Sequence, residues 1–490
     1  MQSLLPTPSQ DDRDPLRWPL WLKRCALIAA SLANFITNMA GSGLSVATPN
    51  LMHEYHKSQS AATQLLIFNF LFLSIGNTFW VPLAHKLGKR ASLLLSMILQ
   101  AGTLVWCATP TSYPSLLAAR CLQGFAGAAG ESIVPELVSD VFFLHQRAAM
   151  MSIYVILISS GTAIGPLINS LMVQYLPSTW RAFMWLCCAL AVADVGLIFF
   201  LCPESNFRRP EWDVTAPIRL PATPDGTEET AGLVEMFMED PPPAGEYFVH
   251  QPALADIIVP IRIDHDLNFF SAMIAPLRLL IRPAVIWVIL LYGLLSLFMA
   301  DLPSSFNMSP LLEAPPYHFS SVAVGLVQIA ALIGFLLACC GSGMLSDIIT
   351  TRIGRRRGLG PVRAEDRLVS LIPGMAVGPA GCVLLAFACQ NRMHWAAIAT
   401  GFGMVSFGSL YTPNIGITYL TQRHQQDAAQ CLVLVNVVKN LVAFLFLYEA
   451  VEWVQSQGYL EVYLVMAALG VVTVGAALPL YLCDAKRHME

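Results

Sequence analysis

Apolar residues in this chain gather into long runs separated by short polar turns, and the length of the runs decides what they are. A hydrocarbon core about 30 Å thick needs about 20 helical residues per crossing. Runs near 24–46, 62–84, 91–109, 114–137, 148–171 and 182–202 meet that length. A second set follows near 284–302, 320–343, 368–389, 395–417, 430–450 and 460–482. The pattern predicts an all-α integral membrane protein with twelve transmembrane helices in two six-helix halves. The chain then divides into a tail (1–23), a first bundle (24–202), a central loop (203–283), a second bundle (284–482) and a short tail (483–490). Within the loop, Glu211 to Pro260 is rich in Pro, Glu, Asp and Thr, a composition that predicts disorder. Near 267–281, Leu267, Phe270, Ile274, Leu277 and Ile281 recur close to helical spacing beside Arg278 and Arg282. That pattern predicts either an amphipathic helix on the inner membrane surface or an early start of the seventh helix, broken at Pro283.

Composition agrees with a membrane protein. The chain is 56% hydrophobic and 12% charged, against roughly 45–50% and about 25% in soluble domains, and its mean hydropathy is +0.59. A net charge of -4 and a pI near 6.2 carry no sign of the clustered basic face that nucleic acids require. Met1 to Pro15 is polar, with Asp11, Asp12 and Asp14, unlike the basic and apolar start of a cleaved signal. Lys and Arg collect on one side of the helix register: Lys86, Lys89 and Arg90 after helix 2, Arg352 to Arg367 after helix 8, and most of the central loop's basic residues. Because cytoplasmic loops hold that excess, both termini and the central loop are expected inside. The plasma membrane is the first expectation, with a vacuolar or other internal membrane as the alternative. Asn307 heads the single N-x-S/T sequon, Asn307-Met308-Ser309, and is expected outside as a glycan acceptor. Most of the cysteines lie in or beside apolar runs and none form C-x-x-C, so no disulfide framework is expected.

Polar residues inside the spans carry the chemistry. Arg120 costs about 2.5–3.5 kcal/mol to insert and is a functional residue by default. Glu131 follows eleven residues later, about 20° away in projection and roughly 16 Å along the axis, which predicts one shared cavity wall. Satisfaction of Arg120 by backbone carbonyls is the structural alternative. The loop after helix 2 reads Leu83-Ala84-His85-Lys86-Leu87-Gly88-Lys89-Arg90, and the loop after helix 8 has Gly343 and Asp347 followed by Arg355 to Arg357. Related loops at matching places in the two halves point to a duplicated transporter. In helix 5, Gly161-Thr162-Ala163-Ile164-Gly165-Pro166 combines a close-approach spacing with a locally loosened helix.

These motifs resemble the major facilitator superfamily, which is similar in its cytoplasmic 2–3 loop (G-x-L-a-D-r-x-G-r-r), its helix-4 motif (R-x-x-q-G, here Arg120 to Gly124) and its helix-5 G-x-x-x-G-P. Val81 and His85 stand where that loop has Gly and Asp, and Asn169-Ser170 stand where the customary Gly-Gly ends the helix-5 motif. Smaller signatures, among them Asp14-Pro15-Leu16-Arg17-Trp18-Pro19, Pro203-Glu204-Ser205 and Asn436-Val437-Val438-Lys439-Asn440, look like the fungal twelve-helix drug:proton antiporter branch. The resemblance implies gating by Leu83, His85, Gly88, Lys89, Arg90, Gly161, Gly165, Pro166, Gly343 and Asp347, and proton coupling through Arg120 and Glu131. It also implies exchange of small, mostly apolar organic compounds for protons by alternating access, in a carrier that works as a monomer.

Asn34, Asn38, Gln123, Gln328, Asn414, Asn436 and Lys439 are candidate lining residues, with Tyr154, Trp287 and Tyr292 as aromatic walls; Asn440 belongs with them by placement. Each alone also reads as glue between helices, and Asp194 in helix 6 reads as a structural or lipid-edge charge. The partners expected are a small-molecule substrate, protons and the bilayer. No cofactor and no metal are expected: His53-Glu54-Tyr55-His56 lacks the further ligands a zinc site needs, and no phosphate-loop sequence occurs. No nucleophile and base share a helix face, so the chain is not expected to be an enzyme. An uptake symporter and a non-transporting membrane sensor are the alternative readings.

Overall fold

The computed structural model describes residues 14–176, 180–207, 268–298, 308–357, 364–423, 427–479 and 481. The loop expectation for Glu211–Pro260 and the sequon at Asn307 fall outside these residues. Among the described residues the regular structure is entirely helical. The first bundle comprises α1 (Leu20–Gly43), α2 (Gln59–Leu87), α3 (Lys89–Ala108), α4 (Tyr113–Val141), α5 (Leu144–Tyr175) and α6 (Trp180–Leu201). The second begins with α7 (Pro283–Leu291), which runs into a π-helical turn over Tyr292–Phe298. It continues through α8 (Ser321–Arg357), α9 (Ile372–Gln390) and α10 (Trp395–Arg423). The final helical run, Ala428–Gly475, breaks at Gly458, whose φ is 84°; its arms are α11 (428–457) and α12 (459–475).

Among the described residues nine helices are long and apolar enough to cross a membrane, and a tenth if the bent pair ending in α7 counts as one span. The remaining two, α4 and α10, occupy the same place in the two halves. Their composition has a reason: α4 carries Arg120, Glu131, Glu136 and Asp140, and α10 is interrupted by Pro413 and rich in Gly, Ser and Thr. Both face protein, where polar groups find partners that lipid cannot offer.

Glycine contacts bring these two helices against their neighbours in related ways. A side chain at Gly124 of α4 would lie 2.3 Å from the Asn69 carbonyl of α2, and one at Gly334 of α8 would lie 2.3 Å from the Gly403 carbonyl of α10. On α5, Gly161 and Gly165 face α1: Cβ atoms there would lie 2.6 Å from the Phe35 carbonyl and 2.3 Å from the Met39 carbonyl. The G-x-x-x-G-P run is thus a packing surface within the first half. The halves meet through α5 with α8 and through α2 with α11. Cys339 Sγ reaches the Ser152 carbonyl at 3.5 Å, Ser74 Oγ donates to the Val437 carbonyl at 2.7 Å, and the Phe68 and Phe444 rings lie 5.5 Å apart.

Before α7, a helix over Phe269–Ile274 is capped by Asn268, whose Oδ1 accepts from the Ser271 amide at 3.4 Å, and a 3-10 turn covers Ala275–Ile281. This segment turns by 98° into α7, so it is not a straight extension of that helix. It exposes Phe270, Ile274, Leu277 and Ile281 while Phe269 packs on Phe79 of α2 at 5.6 Å. Arg282 at the bend pairs with Asp427, the cap of α11, at 2.8 Å.

Candidate functional site

The described residues bring one acidic and one basic side chain of opposite halves into direct contact at the centre of the molecule. Glu131 of α4 pairs through Oε1 with Lys439 Nζ of α11; the side chains are 12% and 7% exposed. The other carboxylate oxygen, Oε2, accepts from Asn77 Nδ2 at 2.7 Å and from Asn440 Nδ2 at 3.0 Å. All three side-chain partners are donors, the set an ionised carboxylate calls for. Lys439 also lies over the Tyr292 ring, 4.4 Å from its centroid, an attraction that strengthens where water is excluded. The π-helical turn at Tyr292–Phe298 brings that ring beneath α11.

The backbone of Glu131 is engaged as fully as its side chain. Its carbonyl accepts from Tyr154 Oη at 3.0 Å and from Asn436 Nδ2 at 3.2 Å. Tyr154 in turn accepts from Asn34 Nδ2 at 3.1 Å, and Asn34 Oδ1 accepts from Asn38 Nδ2 at 3.2 Å. A polar chain therefore runs from α1 through α5 and α4 into α11. Seven of the sequence candidates, Asn34, Asn38, Tyr154, Tyr292, Asn436, Lys439 and Asn440, come together around Glu131.

Other candidates go elsewhere. Trp287 donates from Nε1 to the Thr473 carbonyl at 2.9 Å and crosses Tyr419 edge-on, holding α7 to α12 and α10. Asn414 reaches Ser342 Oγ at 3.4 Å, between α10 and α8. Gln328 is buried on α8. Gln123 serves Arg120: Nη1 donates to its Oε1 at 2.6 Å. The expectation that Arg120 and Glu131 share a cavity wall needs correction. Arg120 is fully buried and gives Nη1 to the Ala40 carbonyl at 2.9 Å, Nη2 to the Gly41 carbonyl at 2.7 Å and Nε to the Leu65 carbonyl at 3.1 Å. Its neighbours are the carbonyls of the last turn of α1, where that helix gives way to a 3-10 turn over Leu44–Ala47. Such end-of-helix carbonyls lack intrahelical donors and carry the negative end of the helix dipole. Arg120 meets that need, and among the described residues its hydrogen-bond partners are not those of Glu131. Asp194 is buried, and among the described residues neither of its carboxylate oxygens meets a hydrogen-bond donor.

Sequence reading overlooked Asn77 and Pro135. An amide inside the apolar α2 run was the available signal for Asn77. The signal for Pro135 was its spacing, four residues after Glu131.

At the end of α2 the residues of the 2–3 loop form a second charged cluster. His85 Nε2 lies 3.0 Å from Glu136 Oε2, and Lys89 Nζ lies 3.4 Å from the same oxygen and 2.5 Å from Asp140 Oδ2. The acidic partner that His85 displaces from its own loop position is thus supplied by α4. Gly88, with φ of 100°, joins α2 to α3, and a Cβ there would lie 2.3 Å from Glu204 Oε2. That carboxylate accepts from the Lys89 and Arg90 amides at 3.0 and 3.1 Å, capping the start of α3. Arg90 Nη2 donates to the Phe199 carbonyl at 2.8 Å, and Leu83 packs against the core. In the second half Asp347 pairs with Arg367 at 3.1 Å, and Gly343 faces open space.

The chain is similar along most of its length to fungal transport proteins. It is 24% identical over 517 residues to an uncharacterized MFS-type transporter of Schizosaccharomyces pombe, covering 98% of this chain and 87% of that one. It is 25% identical over 441 residues to a probable efflux pump of Aspergillus flavus, covering 88% and 93%. Among solved structures, the human organic anion transporter MFSD10 shares the fold with a TM-score of 0.61 at 14% identity, covering 93% and 99%. The family model described as Major Facilitator Superfamily matches residues 30–447. Twelve helices in two related halves, charged 2–3 and 8–9 loops and that match place this chain in the Major Facilitator Superfamily.

Proposed function

We propose that this chain exports small, mostly apolar organic compounds in exchange for protons, by alternating access of its central site to the two sides of the membrane. One observation carries the reading: the Glu131–Lys439 pair joins the two halves at a buried point. With Glu131 ionised, Lys439 holds α4 to α11. A proton on Glu131 cancels the attraction and leaves Lys439 on Tyr292, within its own half, so the halves are released to part. Removing one member of a buried pair typically costs about 3–5 kcal/mol, enough to bias a two-state carrier strongly. In this reading Glu131 carries the proton, and Arg120 fixes the end of the α1 helix that bears Asn34 and Asn38.

Two features favour export. The α5 run from Gly161 to Pro166 resembles the antiporter motif, and one relative is named a probable efflux pump. The working form is a monomer in the plasma membrane with both termini in the cytoplasm, an orientation supported by the distribution of Lys and Arg. A proton-coupled uptake symporter is the second reading, since the same pair would serve either direction. The test starts from a growth-inhibition panel of cells lacking or overexpressing the protein, which selects a compound. Proteoliposomes with an acidic lumen then accumulate that compound if protons leave in exchange. Accumulation only with an acidic exterior would establish symport instead.

A further inference from the structure

The latch between the halves has a second part that a proton does not touch. Within a helix the carbonyl of Glu131 would accept from the amide of residue 135, four residues on. Residue 135 is proline, inside α4, and has no N–H to give. The Glu131 carbonyl is therefore left for other donors, and it takes two: Tyr154 Oη at 3.0 Å from its own half and Asn436 Nδ2 at 3.2 Å from the other. On α11, Asn436, Lys439 and Asn440 follow at i, i+3 and i+4, one face of a helix, and all three hold the same residue of α4.

We propose that Pro135 is a positioning residue that makes the Glu131 carbonyl an inter-half docking point for Asn436, so that the carrier does not reorient when it holds neither proton nor substrate. This rests on the reading of Glu131 as the proton carrier. The two parts of the latch differ in what undoes them. Protonation neutralises the carboxylate and frees Lys439, while the carbonyl remains as good an acceptor as before and Asn436 stays on it. That neutral contact alone does not hold the halves, so the protonated carrier reorients. The unprotonated one reorients only when other groups take over the carbonyl and the Asn436 amide, both costly to leave unsatisfied in a dry site. A substrate hydroxyl or amide meets both needs at once. With neither proton nor substrate bound the carrier stays shut, which blocks the empty return step and keeps protons from leaking through an antiporter.

The test uses the purified full-length protein in liposomes loaded with a pH-sensitive dye, without substrate, and follows lumenal acidification after an external acid jump. Asn436→Leu removes the inter-half donor. Pro135→Ala restores an amide that competes for the carbonyl. Thermal melting and a single gel-filtration peak confirm that each variant folds. Both variants are expected to leak protons at least about tenfold faster than wild type, a factor equal to about 1.4 kcal/mol off the opening barrier. Adding Glu131→Gln to either is expected to abolish the leak and its dependence on pH. Wild-type leak rates in both folded single variants would overturn the proposal and leave the role of Glu131 intact. A raised leak that persists with Glu131→Gln would overturn the reading of Glu131 itself.

Discussion

Arg120 and Gly88 show how a residue that looks functional in sequence serves by holding backbone in place. Arg120 meets three main-chain carbonyls and one amide oxygen while fully buried, so its removal takes a donor from the Ala40 and Gly41 carbonyls at the end of α1. Arg120→Ala is expected to lower stability by about 3 kcal/mol or more, since each orphaned buried acceptor costs about 1–3 kcal/mol. Arg120→Lys restores the charge without the fork and is expected to fall between. Thermal melting in detergent measures both, and an Arg120→Ala protein as stable as wild type would contradict the capping role. Gly88→Ala meets two obstacles, a φ of 100° and a Cβ 2.3 Å from Glu204 Oε2. A loss of about 1–3 kcal/mol from the strained backbone is expected, with weakened capping of α3 in addition. The same melting assay reads it, and an unshifted melt would show that the loop adopts another path.

Individual helices were legible in sequence to different degrees. Runs such as those of α2, α6 and α8 are apolar on all sides and long, so length alone marks them. The α4 run is marked just as clearly by its charges, which need protein around them. Less legible was the route out of the membrane: the predicted end of the eighth helix near 343 gives way to a helix reaching Arg357, because helical backbone continues into a polar stretch that hydropathy excludes. The two readings of 267–281 could not be separated from spacing. Both readings include the 98° turn at Arg282 and Pro283, since proline removes the amide that would continue a straight helix. At the site, the contact of Glu131 with Lys439 was hidden because the two lie in different halves, and periodicity reports faces of one helix only. Glu131 and Arg120 looked coupled for the same reason: a projection angle ignores which neighbour fills the space. The loop segment from Pro221 to Pro243 is rich in Pro, Glu, Asp and Thr, a composition that predicts disorder. Its deletion is expected to preserve transport in proteoliposomes, and a folded but inactive deletion would give that loop a part in gating.

In the whole molecule, the proposed exchange rests on the contact between the two bundles that Glu131 and Lys439 make, where in this reading the halves must separate. The orientation that goes with it has its own test. Cysteine placed at Asn307 is expected to react with an impermeant thiol reagent in intact cells, and labelling only after permeabilisation would invert the topology. The central claim is that the proton rides on Glu131. Glu131→Gln keeps the shape of the protonated acid and cannot ionise, so it is expected to bind substrate and to retain downhill substrate exchange. The decisive measurement is substrate flux in proteoliposomes containing Glu131→Gln, with and without an imposed pH gradient. The account predicts that the gradient no longer drives accumulation while exchange at equal pH persists. Accumulation at the wild-type rate under the gradient would contradict it and direct attention to Asp194, a buried carboxylate of α6.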